Sequence, residues 1–200
     1  MKKLIAGLLG ALLVIGAGVG FWIFLDSASA AATVGSSKIT ASQVDGSVNA
    51  IIAERKTVST TGMQLAIGPS LYVEVLNYYV ILTLLTHTAA ANGLTVKPEQ
   101  LTARLAAILK QEGGATKLKS REVSANIAAA DFSGHVLLRL YLEALATLVE
   151  KNGTPVANSG AAVQALVGAQ AAKEGVSVNK KYGTWDSRQV TVLAPNVFAK

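Results

Sequence analysis

The sequence predicts a mainly helical fold with a small β element formed by N- and C-terminal strands, preceded by an N-terminal hydrophobic helix. Three observations carry this. Successive stretches repeat apolar residues at helical spacing between recognisable caps. Short β-branched runs stand near both ends of the remainder, around Val34 and around Val192. The chain also begins with one unbroken apolar run.

That run follows the basic flank Met1-Lys2-Lys3 and covers Leu4 to Leu25, 22 residues without a charge. As a helix it is ~33 Å long, enough to span a hydrocarbon core of about 30 Å. The lysine pair orients it with the N-terminus inside and the rest of the chain outside. Phe21-Trp22-Ile23-Phe24 then falls at the outer headgroup boundary. Ala28-Ser29-Ala30 also fits the small-x-small pattern of signal cleavage after Ala30. Signal cores usually run about 7–15 residues, so the length favours a retained anchor over a cleaved peptide. Both readings give residues 1–30 a targeting role and place residues 31–200 outside the cytoplasm. Gly16-Ala17-Gly18-Val19-Gly20 lies within the apolar run and lacks the strand-turn-helix context of a nucleotide loop.

The elements beyond it are predicted in turn. Ala32-Thr33-Val34 and Lys38-Ile39-Thr40 flank Gly35-Ser36-Ser37, which reads as a tight hairpin. Thr40-Ala41-Ser42-Gln43 is a capping box, and Val44, Val48, Ile51 and Ile52 continue a helix to about Lys56. A polar loop precedes Pro69, which opens a second helix running to Asn92, with Gly93 as its stop. From Leu71 to Leu85 that helix is apolar nearly all round, interrupted by Glu74 and Asn77, and should be central. Pro98 opens a third helix with Leu101, Leu105, Ile108 and Leu109 in one stripe, ended by Gly113-Gly114. A weaker helix is expected from about Ser120 to Ala130. A clearer one covers Ser133 to Asn152, with Leu137, Leu140, Ala144 and Leu148 on its inner face. The last runs from Ser159 to Glu174, and Val176-Ser177-Val178 and Val190-Thr191-Val192-Leu193 close the chain as strands.

Composition limits the chemistry. Hydrophobic residues make up 51% and charged residues 15%, too apolar for a disordered chain. The net charge is +6, and from Ala31 onward 16 bases face 11 acids, a net +5. Apart from Lys117, Lys119 and Arg121 and the Lys180-Lys181 pair, the bases are scattered, which argues against nucleic acid as a partner. No cysteine is present, which excludes disulfides, thiol nucleophiles and lipid attachment through cysteine. The only histidines are His87 and His135, with no HExxH spacing, so no metal or other cofactor is expected. No G-x-S-x-G elbow marks a serine nucleophile. The twelve acids are dispersed, with Glu99 and Asp131 reading as helix-start residues. Catalysis has no visible machinery.

Three features in order give a resemblance. They are the Thr33-Val34 strand followed by Lys38-Ile39-Thr40 and a capped helix; Ala91-Asn92-Gly93-Leu94-Thr95-Val96-Lys97-Pro98-Glu99 joining two amphipathic helices; and the closing segment Val176 to Asp186. Together they resemble the SurA N-terminal domain family, the chaperone module of SurA-, PrsA- and PpiD-type exported folding factors. The closing segments of short relatives often read V-N-P-R-[FY]-G-x-W-[DN]. Asn179, Tyr182, Gly183 and Trp185 match this, while Lys180-Lys181 replaces Pro-Arg.

The resemblance implies a helical cradle whose first strand pairs with the terminal strands, over about Ala32 to Leu193. It implies weak, sequence-tolerant binding of unfolded exported polypeptides, with no catalytic activity. The parvulin prolyl isomerase domain that many relatives carry has no room here. The apolar surface of the second helix, namely Leu71, Tyr72, Tyr78, Tyr79 and Leu82, is the candidate client-binding surface. The alternative is a structural or assembly subunit of the cell envelope that binds one folded partner. Residues Leu4 to Leu25 would tether either to the membrane.

Overall fold

Gly35 adopts φ 56°, a left-handed conformation that costs glycine little. It turns the chain between strands β1 (Ala30–Val34) and β2 (Ser37–Thr40), with Val34 opposite Ser37. The computed structural model describes residues 29–195; the expected N-terminal helix, its glycine run and its aromatic end lie outside them. Strand β3 (Val176–Val178) joins the other edge of β1, with Val34 opposite Val176 and Ala32 opposite Val178. The order β2-β1-β3 therefore makes the first strand central and brings the two ends of the domain together. The other terminal strands pair with each other instead. β4 (Thr184–Asp186) and β5 (Thr191–Leu193) form a separate two-stranded sheet with Trp185 opposite Val192. β4 is three residues long, too short for alternation to announce it in sequence.

Six helices stand between β2 and β3 among the described residues. In α1 (Ala41–Arg55) the predicted box is formed: Thr40 Oγ1 accepts from Gln43 N at 3.2 Å, and Thr40 N donates to Gln43 Oε1 at 2.8 Å. The helix buries Val44, Val48 and Ile51, about 1.5–3 kcal/mol for each of the larger side chains. Next, α2 (Pro69–Ala91) runs through the centre, contacting α1, the two later helices and strands from both sheets. Its Leu71, Leu76, Val80, Leu84 and Leu85 are fully buried. Leu94 N donates to Ala89 O at 2.9 Å and Gly93 N to Ala90 O at 3.0 Å, the paired bonds of a glycine-ended helix.

α3 (Pro98–Gln111) is strongly two-faced yet buries no residue completely. The weaker helix sits earlier than the sequence suggests, as α4 (Ala115–Ser124). Gly114 starts it, and Asn126 at φ 57° stops it, with Ile127 N donating to Glu122 O at 2.9 Å. Asparagine tolerates this left-handed position nearly as glycine does, a stop signal easily missed.

α5 (Phe132–Lys151) buries Val136, Leu145 and Val149. The face expected inside, Leu137, Leu140, Ala144 and Leu148, is only half-buried. The apolar arc is wider than one stripe: α5 packs on α2 and α6 and also carries α3. Among the described residues it is the one helix long and apolar enough to cross a membrane. It packs on α2 and α6 and carries Arg139, Glu143 and Glu150 among its apolar residues. A single 3-10 turn (Val156–Asn158) leads into α6 (Ser159–Glu174), which turns Val163, Val167 and Ala171 inward.

Candidate functional site

The closing segment is built around Asn179. Its backbone N–H donates to Ala31 O at 2.9 Å and its side-chain amide to Ala30 O at 3.3 Å. Its own Oδ1 accepts from Lys181 N at 3.0 Å, and its carbonyl accepts from Tyr182 N at 2.8 Å. The turn Lys180-Lys181 is thereby fixed against the start of β1. Tyr182 then drops into the core, 3% exposed, with its ring 6.1 Å from that of Tyr72. Gly183, at φ 154°, lies so close to β5 that a Cβ would strike the Leu193 carbonyl. Trp185 packs half-buried against the core. Asn179, Tyr182, Gly183 and Trp185 thus lie where the closing segment meets β1 and the core. Ala30 is the first residue of β1, and the carbonyl of Ser29 accepts from Ala41 N at 3.0 Å.

The second-helix surface is less accessible than the sequence suggests. Leu71 is 1% exposed and Tyr78 8%, so neither stands at the surface. Tyr72, Tyr79 and Leu82 are half-buried. The reason is that α2 is covered on several sides at once, so its apolar girth is consumed by the core. Its tyrosines meet the start of α5 in a polar cluster. Tyr79 Oη donates to Asp131 Oδ1 and meets Ser47 Oγ, both at 2.8 Å. Burial pushes the Tyr79 hydroxyl up to about 12, the Ser47 hydrogen bond works against this, and the Asp131 charge adds to it. Tyr78 is pushed higher still, by burial first and by Asp131 second. Its ring stacks on His135, with centroids 3.9 Å apart and planes 8° from parallel. Burial holds His135 below the usual imidazole range, and Asp131 partly offsets that. A cavity of about 60 Å³ adjoins the cluster, lined by Glu74, Asn126, Asp131 and His135 among others. That is room for one or two waters.

Neither histidine is a plain surface residue: His135 is stacked on Tyr78. His87 instead spans two elements: Nδ1 lies 2.7 Å from Glu174 Oε2, and Nε2 3.3 Å from Ser37 Oγ. Burial raises the Glu174 carboxyl, but hydrogen bonds from His87 and from Gln170, at 2.6 Å, outweigh it and hold it below the ordinary range. The trio ties the β1–β2 hairpin to the ends of α2 and α6. Long-range pairings of this kind leave no sequence spacing to read. Nor did the sequence reveal that Glu122 is buried, 7% exposed. Burial, then the Glu54 charge, raises its carboxyl, with Lys119 opposing.

Apolar surface remains elsewhere. Leu101, Leu105, Ile108 and Leu109 of α3 are half-exposed, and the helix is held mainly by α5. Arg104 clamps it there with a bidentate pair to Glu143, at 2.6 and 3.0 Å. Leu142 at 39%, Ile52 at 42% and Ile67 at 73% exposure are further apolar side chains at the surface. No group of three or more metal-ligating side chains occurs among the described residues.

Helices packed around a sheet that joins the two ends of the described residues, with apolar faces left half-open, define a helical module. The family profile described as the SurA-like N-terminal domain matches residues 1–130. The chain belongs to the SurA-like N-terminal domain family, a chaperone-type family of exported proteins whose module is non-catalytic. No curated protein and no solved structure matches the chain. The family match stops at the start of α5, so the closing segment lies outside it.

Proposed function

We propose that this protein is an extracytoplasmic holdase that binds unfolded exported polypeptides without catalysis, tethered to the membrane by Leu4 to Leu25. The observation that carries this reading is α3. It belongs to the matched family region, holds four large apolar side chains, and buries none of them completely. A helix so lightly packed offers apolar area to an extended chain at little cost to the fold. Clients meet Leu105 and Ile108 together with Leu142 of α5, and the polar backbone of the client stays in water. Tyr72, Tyr79 and Leu82 form a second, shallower part of the surface, with Leu71 and Tyr78 supporting it from below.

The test is aggregation of a chemically unfolded exported protein, followed by light scattering with the full chain present. The chain should slow aggregation, and Leu105→Lys with Ile108→Lys should weaken the effect severalfold while leaving the fold intact. No slowing at several-fold molar excess would refute the holdase reading. Co-purification of one stoichiometric folded partner would favour an assembly subunit of the envelope.

A further inference from the structure

The end of the domain that first leaves the N-terminal run carries its own charge pattern. Asn179 bonds the carbonyls of Ala30 and Ala31, so Lys180 and Lys181, both exposed, are pinned beside the point where the chain comes in. The turn is rigid, because Lys181 N, Tyr182 N and Gly183 N all donate to Asn179. Lys181 Nζ lies over the Tyr182 ring, 5.1 Å from its centroid. The N-terminus of α1 opens on the same side, since Ala41 N donates to Ser29 O, and its first turn holds no acid. A helix N-terminus carries about half a positive charge. Asp45 lies in the second turn of α1, while one carboxylate, Glu174, sits at the opposite end of β1. There Gly35 N donates to Gly175 O beside Glu174 and the C-terminal end of α6, with Lys173 as a neighbour.

We propose that this face, with Lys180 and Lys181 at its centre, docks on the anionic headgroups of the bilayer that holds the N-terminal run. The proposal rests on the reading of Leu4 to Leu25 as a retained membrane helix. Five residues lead from Leu25 to Ala30, a reach of at most about 18 Å. The face therefore stays close to the headgroups, and the lysine side chains cover part of what remains. One acid, Asp26, lies in that connection, and two lysines with a helix N-terminus exceed it. A peripheral lysine gains about 1 kcal/mol at an anionic surface, a factor of about five. Docking fixes the orientation: α1 and the Asn179 turn face the membrane, while Glu174 and His87 face away.

Full-length protein in phosphatidylcholine vesicles, with and without phosphatidylglycerol, provides the test. Amine acetylation is followed lysine by lysine by mass spectrometry, and vesicle flotation is run on the same samples. Lys180 and Lys181 should react about fivefold more slowly in the anionic vesicles, and salt should abolish the difference. Lys110 and Lys151, exposed on α3 and α5, should not change. Equal rates for Lys180 and Lys181 in chain that floats with both vesicles would overturn the docking alone. Chain that fails to float would overturn the anchor reading, and the docking with it.

Discussion

The side-chain oxygen of Asn77, on the central helix, accepts from Val192 N at 2.9 Å and from Thr191 Oγ1 at 3.0 Å. Asn77 interrupts the long apolar stretch of α2, as Glu74 does. Its position marks where β5 docks, 115 residues further along the chain. Helix and strand meet through a part-buried hydrogen bond rather than through apolar contact alone. Asn77→Leu fits the surrounding polarity but leaves the Val192 N–H without its acceptor. The expected loss is about 1–3 kcal/mol, seen as a lower denaturant midpoint. An unchanged midpoint would show that the bond contributes nothing.

Gly134 lies in the first turn of α5, where helix propensity alone predicts that alanine stabilises by about 0.5–1 kcal/mol. The opposite outcome is expected. An added Cβ would collide with Tyr78 Oη, and Tyr78 is held by its stack on His135. Gly134→Ala should destabilise by about 1–3 kcal/mol, as overpacking does. Tyr78→Phe removes the obstructing oxygen, so the double variant should recover most of the loss. A cycle of the four proteins that shows no coupling would remove Tyr78 as the cause.

His135 sets an acid limb. Its imidazole is held below the usual range near 6.5 by burial, so the unfolded chain binds its proton more readily. Stability is therefore full above the unfolded value and is lost as pH falls through that range towards the folded one. His135→Phe keeps a ring against Tyr78 and removes the titration. Its unfolding midpoint should vary less between neutral pH and pH near the carboxylate range than that of the parent. Parallel curves for the two proteins would exclude His135 as the source.

Tyr182 contributes through its ring and not its hydroxyl. The hydroxyl is buried and has no hydrogen-bond partner among the described residues. An unpaired buried polar group costs about 1–3 kcal/mol, so Tyr182→Phe should leave stability unchanged or raise it. Tyr182→Ala should lower it by about 3–5 kcal/mol, as expected for emptying an aromatic core site. Thermal melts of both variants check the sign, and a clear loss in the phenylalanine variant would reveal a missed partner.

Glu122 gives a pH effect of the opposite sign. Its carboxyl is raised by burial and by Glu54, so the fold holds that proton more tightly than the unfolded chain does. The resulting penalty grows as pH rises above the ordinary carboxylate range. Glu122→Gln should raise the unfolding midpoint at neutral pH and have little effect in acid, a comparison readily made by melting at the two pH values.

Local signals determined much of this fold. Thr40 and Gln43 announce α1, Pro69 and Gly93 bracket α2, and Pro98 opens α3, because caps and stops act within one helical turn. The pattern Val34, then Asn179 to Trp185, also pointed to a family whose ends meet. Only the tertiary structure decided how the apolar residues are shared out. A helix as greasy as α2 reads alike whether its neighbours cover it or leave it bare. Burial depends on what packs against it, and α5, α6 and β5 come from far along the chain. Tyr78 is buried against the start of α5 and Leu71 in the core, while the apolar residues of α3 stay half-exposed. The same holds for His87 and Glu174, which are 87 residues apart: no spacing rule connects them, and only the folding of α6 back beside α2 brings imidazole and carboxylate together.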